Sequence, residues 1–295
     1  PIQADMEDAR DTGRRISLIR KATMQDIDAV AQIYEAVIAD INEAEKLINK
    51  ESWEQKFSYR FTTLSVKALR ARLYLYMGQW DSAYQAAEAI LAEKNTLEDF
   101  NAETYTLPNN YQSVENITAL ERGMSSNYTQ AAVLSEALAS LYKEGDLRLD
   151  AYFKPADKNG YRFSQKSGKD DFRCSFRVGE MYLNSAEAAA QSDKLPQART
   201  RLLELMQKRY TPEAYTVKAT AVNAMNKEAL IQEILDERAR ELAFEGHRWF
   251  DLRRTTRPRI EKVLKGGTYV LEQDDSRYTI QIPREAIAAN PELSN

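Results

Sequence analysis

The chain has few of the residue types on which common catalytic and metal sites depend. Its 295 residues include one cysteine, Cys174, and one histidine, His247. A single cysteine excludes an intramolecular disulfide and a cysteine-rich metal site. Because Cys174 lies between Phe172 and Phe176, we interpret it as a small core residue rather than a reactive thiol. The sequence predicts no catalytic residues, no metal site and no cofactor, and we expect the protein not to be an enzyme.

Long apolar runs and an excess of positive charge are also missing. No run approaches the roughly 18 apolar residues that a membrane-spanning helix needs. The formal net charge is −4, which argues against a nucleic-acid partner because such proteins present a basic surface. With 43% hydrophobic and 29% charged residues, the composition is that of a folded globular protein.

Helical periodicity dominates the sequence. Apolar residues recur at steps of three and four from residue 26 to residue 48, which predicts a helix. Residues 68–91 read as two helices broken at Gly78, with small residues and aromatic ones placed as in tetratricopeptide repeats. The predicted fold class is therefore mainly α: tetratricopeptide-like helix pairs forming a curved scaffold, with long loop-rich insertions and a few short strands. The helical repeats are predicted at about 26–91, 176–208 and 228–254.

The most strongly patterned stretch is 236–254, which has one apolar face and one face of alternating charge. Gly246 interrupts it. Because a glycine inside a helix costs roughly 1 kcal/mol relative to alanine, we expect either a close backbone approach or a turn between two helices there. Trp249 and Phe250 are expected to dock beside that point.

An alternative interpretation makes Glu241, Glu245 and His247 a catalytic or metal cluster. Glu245 and His247 are two residues apart, so a helix points their side chains about 200° apart. Metal pairs on helices prefer spacings of three or four. The pattern therefore favours a charged face laced with ion pairs.

The helical period disappears in the loop-rich insertion at about 94–128. This segment is rich in Asn, Thr, Ser and Tyr, which is typical of a long loop. Tyrosine offers a flat apolar face with a hydroxyl, and asparagine offers a donor and an acceptor. Sugars need both kinds of contact, and surface packing of the loop is the alternative. The candidate ligand-binding residues are Tyr105, Asn109, Asn110, Tyr111, Asn127 and Tyr128.

Four shorter segments carry weaker signals. Residues 53–61 hold four aromatic residues in nine, which indicates either a stacking platform or an apolar lead into the next helix. Residues 130–142 are predicted to be helical, and 145–153 to be a turn followed by an extended piece in which Asp146 and Arg148 pair locally. Short strands are predicted between residues 269 and 283.

Residues 237–254, ERARELAFEGHRWFDLRR, resemble the C-terminal signature of the SusD/RagB family, surface glycan-binding lipoproteins of the Bacteroidetes. Four further segments agree in the same order, so the resemblance spans nearly the whole chain. It implies one SusD-like domain over residues 1–295 that lacks an upstream part bearing the export signal and lipid anchor. The further segments are ALRARLYLYMGQWDSAYQAAEAIL, YKEGDLRLDAYF, FRVGEMYLNSAEAAA and RYTIQIPREAIAANPEL.

This resemblance implies non-catalytic binding of glycans at the cell surface and their delivery to a SusC-like, TonB-dependent transporter in the outer membrane. Membrane association is expected only through the upstream lipid anchor. The alternative is a peptide-binding module, or a lid of the same kind of complex that binds no small ligand. The residues that match the family signature are expected to be structural: Glu237, Arg240, Glu241, Gly246, Arg248, Trp249 and Asp251.

Overall fold

The structure is a computed structural model, which describes residues 24–122, 132–166, 172–264, 266–279 and 284–290. Its contacts divide the chain into two compact units. The larger unit is 32–248, and the smaller one takes the described residues up to 31 and from 249 onward.

Helices make up most of the described chain, and the predicted mainly α fold built from helix pairs is confirmed. The pairs α2/α3 and α6/α7 each pack together across a short turn. The helices are α1 (Met24–Leu47), α2 (Thr63–Tyr76), α3 (Trp80–Glu93), α4 (Glu136–Ala139), α5 (Arg148–Tyr152), α6 (Val178–Gln191), α7 (Leu195–Gln207), α8 (Pro212–Ala224), α9 (Lys227–Glu241), α10 (Arg248–Arg254) and α11 (Arg284–Ala289).

Helix α6 lies at the centre of the core of the larger unit. Every residue from Val178 to Ala190 is buried, and the helix contacts α2, α3, α7 and α9. Ala186, Ala189 and Ala190 are fully buried. Their small side chains let the neighbouring helices approach closely, as the tetratricopeptide-like pattern predicts.

The helices begin where the sequence supplies caps. Thr62 and Ser65 form a reciprocal capping box at the start of α2. The Asn226 side chain accepts the Ala229 N–H at the start of α9, and Thr211 caps α8 just ahead of Pro212. Helix α8 is absent from the sequence-based prediction because it buries only Val222 and so lacks an apolar stripe.

Gly246 lies in the turn between α9 and α10, with φ +82°. A Cβ built there meets nothing within 4 Å. Of the two expectations for this glycine, the turn is therefore correct and the close approach is not. Phe250 is 48% exposed.

Two local predictions are wrong. Residues 148–152 form helix α5 rather than an extended piece, because Arg148 at its first position is buried and held by Asp146. Within the described part of 130–142, helix α4 covers only 136–139.

The strands are short and pair locally. β1 (Asn116–Thr118) pairs antiparallel with β4 (Phe176–Arg177), and β2 (Glu121–Arg122) pairs with β3 (Phe172–Arg173). These two small sheets join the loop after α3 to the start of α6.

The smaller unit contains α10, α11 and a hairpin of β5 (Ile260–Leu264) and β6 (Gly267–Leu271). Trp249 stacks on Tyr278, with 5.1 Å between ring centroids. Strand β6 overlaps the start of the predicted stretch 269–283, Tyr278 sits in a 3₁₀ turn (Ser276–Tyr278), and residues 280–283 lie outside the described residues.

Candidate functional site

Among the predicted site residues that the structure describes, Tyr105 is the one whose ring is both exposed and held in place. The side chain is 40% exposed, and its ring lies flat on Phe100 with 4.4 Å between centroids and 17° between planes. Phe100 in turn packs edge-on against Tyr152 at 5.8 Å. One face of the Tyr105 ring is therefore supported by the core, so the ring is oriented before a ligand arrives.

Two charged side chains accompany this ring. Partial burial, with a smaller effect from the carboxylate of Asp150, raises the pKa of Tyr105. The hydroxyl therefore remains a donor at neutral pH. Asp150 is exposed and accepts a hydrogen bond from Arg162 at 2.6 Å. Arg162 also donates to the carbonyls of Lys154 (3.0 Å) and Leu149 (3.2 Å), which fixes its guanidinium. We call Phe100, Tyr105, Asp150 and Arg162 the Tyr105 platform.

Of the other predicted residues of the loop, the two described asparagines stabilise the loop itself. Asn109 is 2% exposed, and its amide donates to the Lys166 carbonyl at 3.1 Å, so it supports the loop from inside. The Asn110 side chain accepts the N–H of Gln112 at 2.9 Å and shapes the turn. Tyr111 is half-buried. Asn127 and Tyr128 lie outside the described residues.

Sequence reasoning missed Phe100, Asp150 and Arg162. Phe100 is five positions from Tyr105 in a segment without period, and Asp150 and Arg162 follow Tyr105 by 45 and 57 positions. The short distance in sequence between Phe100 and Tyr105 was the local signal that could have indicated their contact.

A buried ion network occupies the centre of the larger unit. Glu241 accepts hydrogen bonds from three arginines: Arg177 at 2.8 Å, Arg209 at 2.9 Å and Arg148 at 3.1 Å. All four side chains are almost fully buried. Burial by itself would raise the pKa of Glu241, but the charges of Arg209, Arg177 and Arg148 outweigh it and hold that pKa well below its usual range.

Further carboxylates form ion pairs with the same arginines. Arg148 also binds Asp146 at 2.8 Å, as the sequence predicts, and Glu237 at 2.6 Å. Arg177 binds Glu115 at 2.9 Å and Glu245 at 2.8 Å. We call the set the Glu241 network: Asp146, Arg148, Glu115, Arg177, Arg209, Glu237, Glu241, Glu245 and Lys166.

Lys166 lies at one end of this network. Its ammonium donates to Glu245 and, at 3.0 Å, to the Glu241 carbonyl. Burial lowers the pKa of Lys166 to about 8, although Glu245 opposes this. Glu245 itself keeps a pKa of about 2, since the neighbouring Arg177 and Lys166 charges overcome its burial.

The network is structural, which agrees with the sequence-based interpretation of Glu237 and Glu241. Its charges are matched inside the protein, so Glu241 and Glu245 are committed to holding elements together. Burial lowers the pKa of His247 to about 4. The Cys174 thiol is also buried, donates to the Asn110 carbonyl at 3.2 Å and has a raised pKa, as expected of an inert core residue.

Two other kinds of feature are absent from the described residues. No group of three or more His, Cys, Asp or Glu side chains among them is placed to hold a metal ion. Likewise, in the part of the chain that the structure describes, no helix combines the length and apolar character that crossing a membrane requires.

Comparison with known proteins gives a consistent family match. A sequence model of the SusD family matches residues 149–295. None of the curated proteins searched matches the chain.

Solved structures match over most of the chain. A SusD superfamily protein from Bacteroides thetaiotaomicron has 23% identity and a TM-score of 0.69, over 89% of this chain and 65% of that one. A SusD-like carbohydrate binding protein from Bacteroides vulgatus has 19% identity and a TM-score of 0.63, with the same coverage. A SusD superfamily protein from Bacteroides fragilis has 22% identity and a TM-score of 0.67, over 90% and 63%. The chain thus spans slightly less than two thirds of these structures.

Proposed function

Because the chain belongs to the SusD family, we propose that it is a non-catalytic carbohydrate-binding protein whose ligand stacks on the Tyr105 platform. One of the similar structures is described as a carbohydrate binding protein, which supports this ligand class. As part of the same proposal, the bound glycan passes to a SusC-like, TonB-dependent transporter at the outer membrane.

The observation that supports this site most is the orientation of the Tyr105 ring. A pyranose ring presents an apolar C–H face rimmed by hydroxyls, so its receptor needs an aromatic face and nearby hydrogen-bonding groups. Tyr105 supplies the face, braced on Phe100, and the exposed carboxylate of Asp150, whose charge acts on the Tyr105 hydroxyl and which Arg162 holds, supplies an acceptor. Preorganisation of this kind lowers the entropy lost when a ligand binds.

The test is migration in native gels that contain a panel of neutral polysaccharides. The Tyr105→Ala variant is compared with Tyr59→Ala. Tyr59 is a matched control because it is 38% exposed and also packs against an aromatic ring, that of Phe57 at 6.3 Å. We expect selective retardation of the wild type, about tenfold weaker binding for Tyr105→Ala and no change for Tyr59→Ala.

Each other outcome has a defined meaning. Retardation lost in Tyr59→Ala but kept in Tyr105→Ala would move the site to residues 53–61. Equal binding by all three proteins would remove the Tyr105 platform from the proposal. Absence of retardation with every neutral polysaccharide would overturn glycan binding at the Tyr105 platform.

A further inference from the structure

A polar cavity of about 840 Å³ lies where the end of α1, the start of α2 and the end of α3 meet. Its lining includes Asn49, Glu51, Ser52, Leu64 and Lys94, and shares no residue with the Tyr105 platform. Sites for small molecules commonly have volumes of about 300–1,000 Å³, so the cavity is large enough for a short oligosaccharide.

Two carboxylates in the cavity wall form ion pairs within the protein. Glu93 pairs with Lys67, and Glu45 pairs with Arg70 at 2.6 Å. These pairs join α1 to α2 and α2 to α3, so they brace the wall. Neither carboxylate has its charge available for a ligand.

The remaining polar groups of the lining are unused. Among residues that the structure describes, the side chains of Lys94, Glu51, Asn49 and Ser52 have no hydrogen-bond or ion-pair partner. Lys94 is half-buried, and burial lowers its pKa even though Glu115 opposes the effect. A cation that has lost water without gaining a partner is stabilised by any anion brought to it.

The segment that forms one wall of the cavity adds more positive charge. The Lys50 carbonyl accepts the Thr63 N–H at 2.9 Å, which fixes this segment to α2. The Lys50 ammonium lies 4.9 Å and the Arg60 guanidinium carbon 4.8 Å from the centre of the Trp53 ring. Neither cation has an acidic partner in the described chain. Lys50 and Arg60 do not line the cavity itself, and among the described residues of the lining Lys94 is the unpaired cation and Glu51 the unpaired carboxylate.

We propose that this cavity is a second carbohydrate site, which takes an acidic sugar unit by pairing its carboxylate or sulfate with Lys94. Asn49, Ser52 and Glu51 then hydrogen-bond the ring hydroxyls. Leu64 is the single apolar side chain in the lining, so the cavity offers little to the apolar side chains of a peptide. The inference rests on the proposed carbohydrate-binding function, but it concerns a different site and a charge preference.

Isothermal titration calorimetry of the full chain tests the inference with three probes. The two acidic probes are a uronic-acid trisaccharide and a trisaccharide of neutral sugars that carries one sulfate group. The third probe is the uronic-acid trisaccharide with its carboxyl groups methyl-esterified. The variants are Lys94→Gln, Lys94→Arg, which keeps the charge, and Lys143→Gln, which removes an exposed lysine charge elsewhere in the larger unit.

We expect at least one acidic probe to bind about tenfold more tightly than the ester, as one charged hydrogen bond implies. Lys94→Gln should lose that advantage, whereas Lys94→Arg and Lys143→Gln should keep it within about threefold. The acidic probe that binds identifies the anion as carboxylate or sulfate.

Two results would overturn the inference: neither acidic probe binding more tightly than the ester, or Lys94→Gln behaving as Lys143→Gln does. Loss of acidic-probe binding in Tyr105→Ala alone would place the ligand on the Tyr105 platform instead. If neutral polysaccharides fail to bind while Lys94-dependent binding persists, the platform is wrong and the cavity stands. An acidic tripeptide serves as a further control. If it bound and none of the three trisaccharides did, the cavity would not be a carbohydrate site.

Discussion

The Glu241 network and the cavity lined by Lys94 both contain acidic and basic side chains, and they differ in whether all of these charges are paired. Glu241 accepts hydrogen bonds from three arginines in the protein interior, while Lys94 lines a cavity without a partner among the described residues. A buried charge that is ion-paired within the protein holds distant elements together. A half-buried charge without an ion-pair partner has no such structural role, so it is available to bind a ligand.

Removing the central carboxylate should have the largest effect. Glu241→Gln leaves Arg148, Arg177 and Arg209 without their shared negative charge, so we expect the free energy of unfolding to fall by about 3–5 kcal/mol. Urea denaturation measures this. Glu144→Gln, an exposed carboxylate in the same unit, should change stability by less than about 0.5 kcal/mol. Similar small losses for both variants would contradict the central place given to Glu241.

Acid should weaken the fold through His247, the one histidine of the chain. Its pKa falls from 6.5 to about 4 on folding, mainly because of burial, so the unfolded chain takes up the proton first. Stability therefore decreases as pH falls from 6.5 to 4, by roughly 3 kcal/mol at most. Denaturation curves across this range should show that His247→Gln removes most of the decrease. A slope that the variant leaves unchanged would mean that other groups titrate there.

Two glycine substitutions separate crowding from backbone strain. A Cβ on Gly179 overlaps the Arg177 guanidinium and comes 3.1 Å from a Glu241 oxygen, so Gly179→Ala should cost about 1–3 kcal/mol. Gly246→Ala has open space but a φ of +82°, and should cost about 1 kcal/mol. Thermal or urea unfolding ranks the pair. The reverse order would show that the network accommodates a methyl group.

The smallest effect is expected at the cavity. Because Lys94 has no partner to lose among the described residues, Lys94→Gln should alter the free energy of unfolding by less than about 0.5 kcal/mol. Urea denaturation in the absence of ligand is the measurement. A loss above about 1 kcal/mol would mean that Lys94 supports the fold, which would weaken its assignment to ligand binding.

Local patterns predicted the helix pairs and gave the turn at Gly246 as one of two alternatives, because these features depend on periodicity and single-residue conformation. The Asp146–Arg148 pair was also predictable, since its members are two residues apart. The Glu241 network was not, because its partners come from separate helices and loops. The bracing of Tyr105 on Phe100 and the cavity at Lys94 likewise arise from tertiary packing, which sequence spacing does not encode.

The wide spacing of the network along the chain has a kinetic consequence. Glu241 bonds to residues 32, 64 and 93 positions away. Such loops close late in folding because their entropy must be lost before the ion pairs form. We therefore expect the network to be unformed in the folding transition state, so that it governs how slowly the native protein unfolds rather than how quickly it folds.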